Sequence, residues 1–113
     1  LIYSYGVATK RLTEAQMCRA LCENPARLYG LFPRKGVLRP GSDADIVVYD
    51  PGDSHVIREA DCVANVDYNP YEGFVTSGGV RQVWLRGGLA VENGRVLDGE
   101  PRGRYMTRGK CSL

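Results

Sequence analysis

The hydrophobic period of this chain changes once, from helical to extended spacing, at Leu31. Everything the chain can fold into depends on that single change. Before it, Thr13 opens a helix, and Gln16 completes a capping box in which each side chain can bond the other's free backbone N–H. Met17, Ala20, Leu21 and Leu28 then fall on one apolar face. Asn24-Pro25 is expected to break this helix and start another, with Asn24 as the cap and Pro25 in the first helical position. Gly30 supplies the left-handed residue that ends it. The segment Ser4 to Arg11 reads as a loop that comes after an earlier element.

After Leu31 the expectations are all extended. Val37-Leu38-Arg39 is a short strand. Pro40-Gly41 is a turn, because proline presets φ and glycine tolerates a positive one. Asp45 to Tyr49 is β-branched and apolar and reads as an inner strand. Asp50-Pro51-Gly52-Asp53 turns the chain, and His55 to Glu59 is the next strand. Residues 61–79 have no clear period, and Tyr68 to Phe74 reads as an aromatic loop packed onto something large. Val83-Trp84-Leu85, Leu89 to Glu92 and Arg95-Val96-Leu97 are strands joined by Arg86-Gly87-Gly88 and by Asn93-Gly94, a type I′ signal. The tail beyond Asp98 is glycine-rich and basic, and stays disordered unless it docks. The order is therefore helices, then five or so short strands. Such strands leave exposed edges, and helices without a sheet of their own expect more protein around them.

Bulk composition excludes several classes. At 113 residues the chain holds one domain's worth of sequence, with 43% hydrophobic and 25% charged residues, as in soluble globular proteins. A net charge of +2, with scattered basic residues, argues against nucleic-acid or membrane-surface binding. No apolar run approaches the roughly 20 residues of a membrane helix, and residues 1–10 do not form a signal peptide. A cytoplasmic location is expected, with Cys18, Cys22, Cys62 and Cys111 reduced. Cys18 and Cys22 share a helix face and are expected to be partly buried there. The chain begins at Leu1 rather than a methionine. It is read as a processed product or an excised fragment.

No constellation of catalytic residues is visible. Asp43 and Asp45, two residues apart beside Pro40-Gly41, are expected to bond backbone amides and brace the turn rather than act as paired carboxylates. His55 is the one histidine, placed in a strand and not read as a metal ligand. Tyr68, Tyr71 and Phe74 are read as packing rather than a ligand cage. Gly36, Gly41, Gly87 and Gly88 match no phosphate loop, and Arg34-Lys35 is read as a solvated pair.

Three segments in order carry a family resemblance. Asn24-Pro25-Ala26-Arg27-Leu28-Tyr29-Gly30-Leu31-Phe32-Pro33-Arg34-Lys35-Gly36 comes first, then Gly41-Ser42-Asp43-Ala44-Asp45-Ile46-Val47-Val48-Tyr49-Asp50-Pro51, and then Val66-Asp67-Tyr68-Asn69-Pro70-Tyr71-Glu72-Gly73. Arg86-Gly87, Val91 and Gly103-Arg104-Tyr105 add to it. Together they resemble the C-terminal region of the D-hydantoinase and dihydropyrimidinase branch of the cyclic amidohydrolases, over about Leu1 to Lys110.

The resemblance implies a parent built from a (β/α)₈ barrel and a β-sandwich, hydrolysing the cyclic amide bond of hydantoins or dihydropyrimidines. Two divalent metal ions, zinc in this reading, would hold the attacking hydroxide and polarise the carbonyl. The chain would then be an α+β fragment. Residues 1–30 would be the last helical part of the barrel, 31–97 the C-terminal strands of the sandwich, and 98–113 a tail contacting another subunit of a homotetramer. Its partners would be the remainder of its own parent chain and further copies. The implied ligands match positions upstream of Leu1: this chain has no His-x-His pair, and Lys10, Lys35 and Lys110 lie outside the context of the family's carboxylated lysine. No catalytic, substrate-binding or metal residue is assigned, and the chain alone is expected to be inactive. Two other readings remain at this point: the C-terminal region of a non-catalytic, dihydropyrimidinase-like assembly protein, and an independent β-rich interaction module.

Overall fold

A computed structural model describes residues 1–62, 65–97, 99 and 103–112. A π-helical turn, Tyr3–Val7, comes first. Helix α1, Glu14–Cys18, runs without a break through a π-helical turn, Arg19–Glu23, into α2, Asn24–Leu28. Thr13 makes the expected capping box with Gln16: the Thr13 amide donates to Gln16 Oε1 at 2.8 Å and the Gln16 amide to Thr13 Oγ1 at 3.2 Å.

Pro25 does not break the helix, and Asn24 caps nothing. Proline has no N–H and crowds the carbonyl one turn before it. The helix absorbs this by widening just upstream, where the Asn24 amide reaches five residues back to the Arg19 carbonyl. The segment Ser4 to Arg11, expected as a loop, instead begins within the turn Tyr3–Val7.

Gly30, at φ +67°, ends the helix as expected. The Leu31 and Phe32 amides then both donate to the Ala26 carbonyl, at 2.8 and 3.0 Å. The chain crosses back over the helix at Gly36, whose φ is +82°. A Cβ at Gly36 would lie 2.6 Å from Ala26 Cβ and 2.7 Å from the Cys22 carbonyl oxygen. That close crossing buries Ala26. Val37-Leu38-Arg39 forms no strand: among the described residues no neighbour is in place to pair with it, and Leu38 is 68% exposed. The Pro40-Gly41 turn is present, closed by the Ser42 amide on the Arg39 carbonyl at 3.1 Å with Gly41 at φ +89°.

The strands are β1 (Ile46–Val56), β2 (Val75–Leu85), β3 (Gly88–Glu92) and β4 (Arg95–Val96), in one antiparallel sheet of that order. The expected inner strand beginning at Asp45 is therefore an edge strand among the described residues. Asp50-Pro51-Gly52-Asp53 does not reverse the chain. Pro51 cannot donate to a ladder, so the stretch swells into a bulge, and pairing lost after Asp50↔Gly79 resumes at Ser54↔Ser77. His55 and Val56 thus end β1 instead of starting a separate strand. The hairpin turns form as the sequence predicts. Arg86 and Gly87 stand at φ +47° and +79°, and Asn93 and Gly94 at +48° and +78°, as a type I′ turn requires. Across the sheet Val47, Val83, Val91 and Val96 pair in one row through all four strands. Val47 and Val96 are exposed.

The tail returns to the helix. The Gly109 amide donates to the Gly30 carbonyl at 2.8 Å and the Ser112 amide to the Arg27 carbonyl at 3.1 Å. The first bond gives the Gly30 carbonyl, just past the helix end, a partner, and the second adds to the Arg27 carbonyl, which also accepts the Gly30 amide at 3.2 Å. Asp98 and four further residues of the expected tail lie outside the described residues.

Candidate functional site

The segment 34–45 builds an ionic joint rather than a pair of turn braces. Lys35 Nζ lies between Asp43 Oδ2, at 2.9 Å, and Asp45. Arg34 Nε donates to both Asp43 oxygens at 3.2 Å. Asp45 does hold a backbone amide, but a distant one: its Oδ1 accepts the Arg86 N–H at 2.8 Å. Beside it the Gly87 amide donates to the Ala44 carbonyl at 3.0 Å. The joint therefore ties the loop after the helix to the first hairpin turn.

The hydrogen bond from Lys35 holds the Asp43 carboxyl below its usual range. Burial pushes Asp45 up, but the bonds from Lys35 and the Arg86 amide outweigh it and leave Asp45 low. Burial would lower Lys35, and the two carboxylates override it and raise the ammonium. Groups held ionised in this way are poor proton shuttles near neutral pH. Lys35 is thus not a solvated residue: its side chain is 21% exposed, against 57% for Arg34.

The second junction joins the N-terminal turn to β2, and sequence reasoning missed it. Ser4 Oγ donates to the Ser77 carbonyl at 3.1 Å and accepts the Ser77 amide at 2.9 Å. Tyr49 Oη donates to the same carbonyl at 2.9 Å, and the Tyr3 and Tyr49 rings lie 4.6 Å apart. Gly78 and Gly79 make room: side chains there would strike the Tyr49 ring and the Asp53 carboxylate. The run Ser77-Gly78-Gly79 was the available signal, since glycines inside a strand mark a close approach. Of the aromatic loop, Phe74 packs edge-on between Tyr5 and Tyr71, with both centroid distances 5.9 Å. Tyr68 stays 66% exposed.

His55 sits at the end of β1, where Thr76 Oγ1 meets its Nδ1 at 2.8 Å and also its carbonyl oxygen at 3.0 Å. It faces an open cleft of about 190 Å³ shared with Arg58, Asp61, Cys62 and Asn69. Cys18 and Cys22, expected to be partly buried, are both exposed, and all four cysteines are free. Among the described residues no three His, Cys, Asp or Glu side chains gather where they could hold a metal ion. The two-ion centre implied by the resemblance therefore does not fit the residues present, and no chemical step runs through it here. No helix among the described residues is long and apolar enough to cross a membrane.

Comparison with known proteins gives this arrangement its setting. The sequence profile of the amidohydrolase family matches residues 2–96. D-phenylhydantoinase of Escherichia coli is 39% identical over 108 residues, which cover 96% of this chain and 23% of that protein. The structure of D-hydantoinase from Bacillus sp. AR9 superposes with a TM-score of 0.92 at 36% identity, over 99% of this chain and 25% of the other. D-hydantoinase (dihydropyrimidinase) from Thermus sp. gives 0.83 at 42% identity, over 87% and 21%. The chain belongs to the amidohydrolase family, in its D-hydantoinase and dihydropyrimidinase branch. It spans about a quarter of the length of these relatives.

Proposed function

We propose that this chain works as the C-terminal part of a hydantoinase-type hydrolase. The parent would open the cyclic amide bond of hydantoins or dihydropyrimidines at a two-metal centre supplied by other residues. Within it, 1–30 serve as terminal helices of the barrel and 31–97 as sandwich strands, while 98–113 reach a neighbouring subunit of a homo-oligomer. The chain's own work is structural. One observation carries the reading: nearly the whole chain superposes on a quarter of a D-hydantoinase at a TM-score of 0.92. The exposed Val47 and Val96 at the ends of the valine row, and the edge of β1 that is unpaired among the described residues, support it, because both offer apolar or hydrogen-bonding surface to more protein.

The test is complementation. Escherichia coli D-phenylhydantoinase lacking the quarter matched here is co-expressed with this chain, and phenylhydantoin hydrolysis is measured with added zinc. We expect a soluble complex and no turnover by the chain alone. Turnover by the chain alone would overturn the structural role. Rescue by the enzyme's own last quarter but not by this chain would overturn the placement.

A further inference from the structure

We infer that Cys18 and Cys22 form a two-thiol site for monosubstituted trivalent arsenicals, compounds of the form R–As=O. The two residues lie four apart on the continuous rod 14–28, at the entrance to its π-helical turn. Both are free and exposed. Helical neighbours at this spacing hold their Cβ atoms about 5–6 Å apart. A disulfide needs Cβ atoms about 3.5–4.5 Å apart, so direct oxidation of the pair would have to distort the rod. One atom bridging the two sulfurs lengthens the link and removes that mismatch.

The surroundings narrow the ligand class by the groups they lack. Tetrahedral zinc takes four ligands, and among the described residues no third His, Cys, Asp or Glu joins this pair. A centre completed by two thiolates suits such a pair, and a monosubstituted arsenical, which brings its own third substituent, is one. The reaction balances without an oxidant: two S–H bonds break, two As–S bonds form, and the oxygen leaves with both protons as water.

Capturing arsenic there would staple the rod across the turn that precedes Pro25. The chain's other cysteines, Cys62 and Cys111, have no cysteine partner at helical spacing and serve as internal controls.

The experiment titrates the 113-residue chain, reduced with a phosphine, with phenylarsine oxide. Free thiols are counted, and intact mass and far-ultraviolet circular dichroism are read at each point. We expect one equivalent to consume two thiols, with release by 1,2-ethanedithiol. The Cys62→Ser/Cys111→Ser double variant should behave identically. Cys18→Ser and Cys22→Ser should each weaken retention at least about a hundredfold, because the second bond is then no longer intramolecular. Loss of capture in the Cys62/Cys111 variant would overturn the assignment. So would undiminished capture after Cys18→Ser or after Cys22→Ser.

Discussion

Gly30→Ala tests the docking of the tail. Gly30 stands at φ +67°, and an added Cβ would overlap the Gly109 carbonyl. The substitution carries two separable costs. The left-handed conformation costs an L-residue about 1–2 kcal/mol. Displacing the tail loses the bonds from Gly109 and Ser112, each worth about 0.5–1.5 kcal/mol. The full chain should therefore lose about 2–5 kcal/mol. In a chain ending at Leu97 only the conformational part survives, so the same substitution should cost about 1–2 kcal/mol. The coupling between Gly30→Ala and tail removal is then about 1–3 kcal/mol, well above the ~0.5 kcal/mol scatter of independent sites. Urea unfolding monitored by Trp84 fluorescence gives all four corners of the cycle. Amide exchange at Gly109 and Ser112 gives a local reading, with protection lost in Gly30→Ala. Equal costs in the two backgrounds, or unchanged protection of Gly109, would refute the docking.

Asp45→Ala removes one of the two carboxylates on Lys35 and the acceptor of the Arg86 amide, and should destabilise by about 1.5–3 kcal/mol in chemical melts. The joint also sets a pH window. Asp43 and Asp45 are depressed, so their contribution is present above about pH 4 and is lost as pH falls through their lower folded values. Lys35 is raised, so its share is complete below about pH 10.5 and disappears only at higher pH. Melts across that range should show a plateau that Asp45→Ala lowers and flattens at its acid end. Thr13→Ala opens the capping box and should cost about 1 kcal/mol, recovered largely by Thr13→Ser. Arg81→Ala removes exposed pairs with Asp50 and Asp53 at 3.1 and 3.8 Å, and should change stability by less than about 1 kcal/mol.

Local signals in the sequence carry well where one residue type decides the backbone. Thr13 with Gln16, Gly30, Pro40-Gly41 and Asn93-Gly94 all do in the structure what their chemistry predicts. Failures come where the decisive partner is distant. Asp45 reads with its neighbours as a turn brace, yet its amide partner is Arg86, 41 positions on. Asp50 to Asp53 carries every mark of a turn, but β2 holds both ends and turns it into a bulge. Pro25 looks like a helix end because the rule assumes a fixed helical register. Family membership is readable from three ordered motifs, whereas the seat of the N-terminal turn on Ser77-Gly78-Gly79 needs the strand to be placed first.

The widened turn before Pro25 also limits which insertions and deletions the chain accepts. Residues 19–23 carry one position more than an α-helical turn needs, and each helical position rotates the downstream chain by about 100°. Deleting one residue there would restore the α register and press the proline ring against the carbonyl four positions before it, at about 3 kcal/mol. It would also swing Ala26, and with it the crossing at Gly36, around the rod axis. Leu31 to Asp45 would then leave the helix in another direction, and the Asp45 carboxylate would no longer meet the Arg86 amide. Changes of length in this helix are thus coupled to the hairpin more than 60 residues later, although substitutions on its exposed face are not.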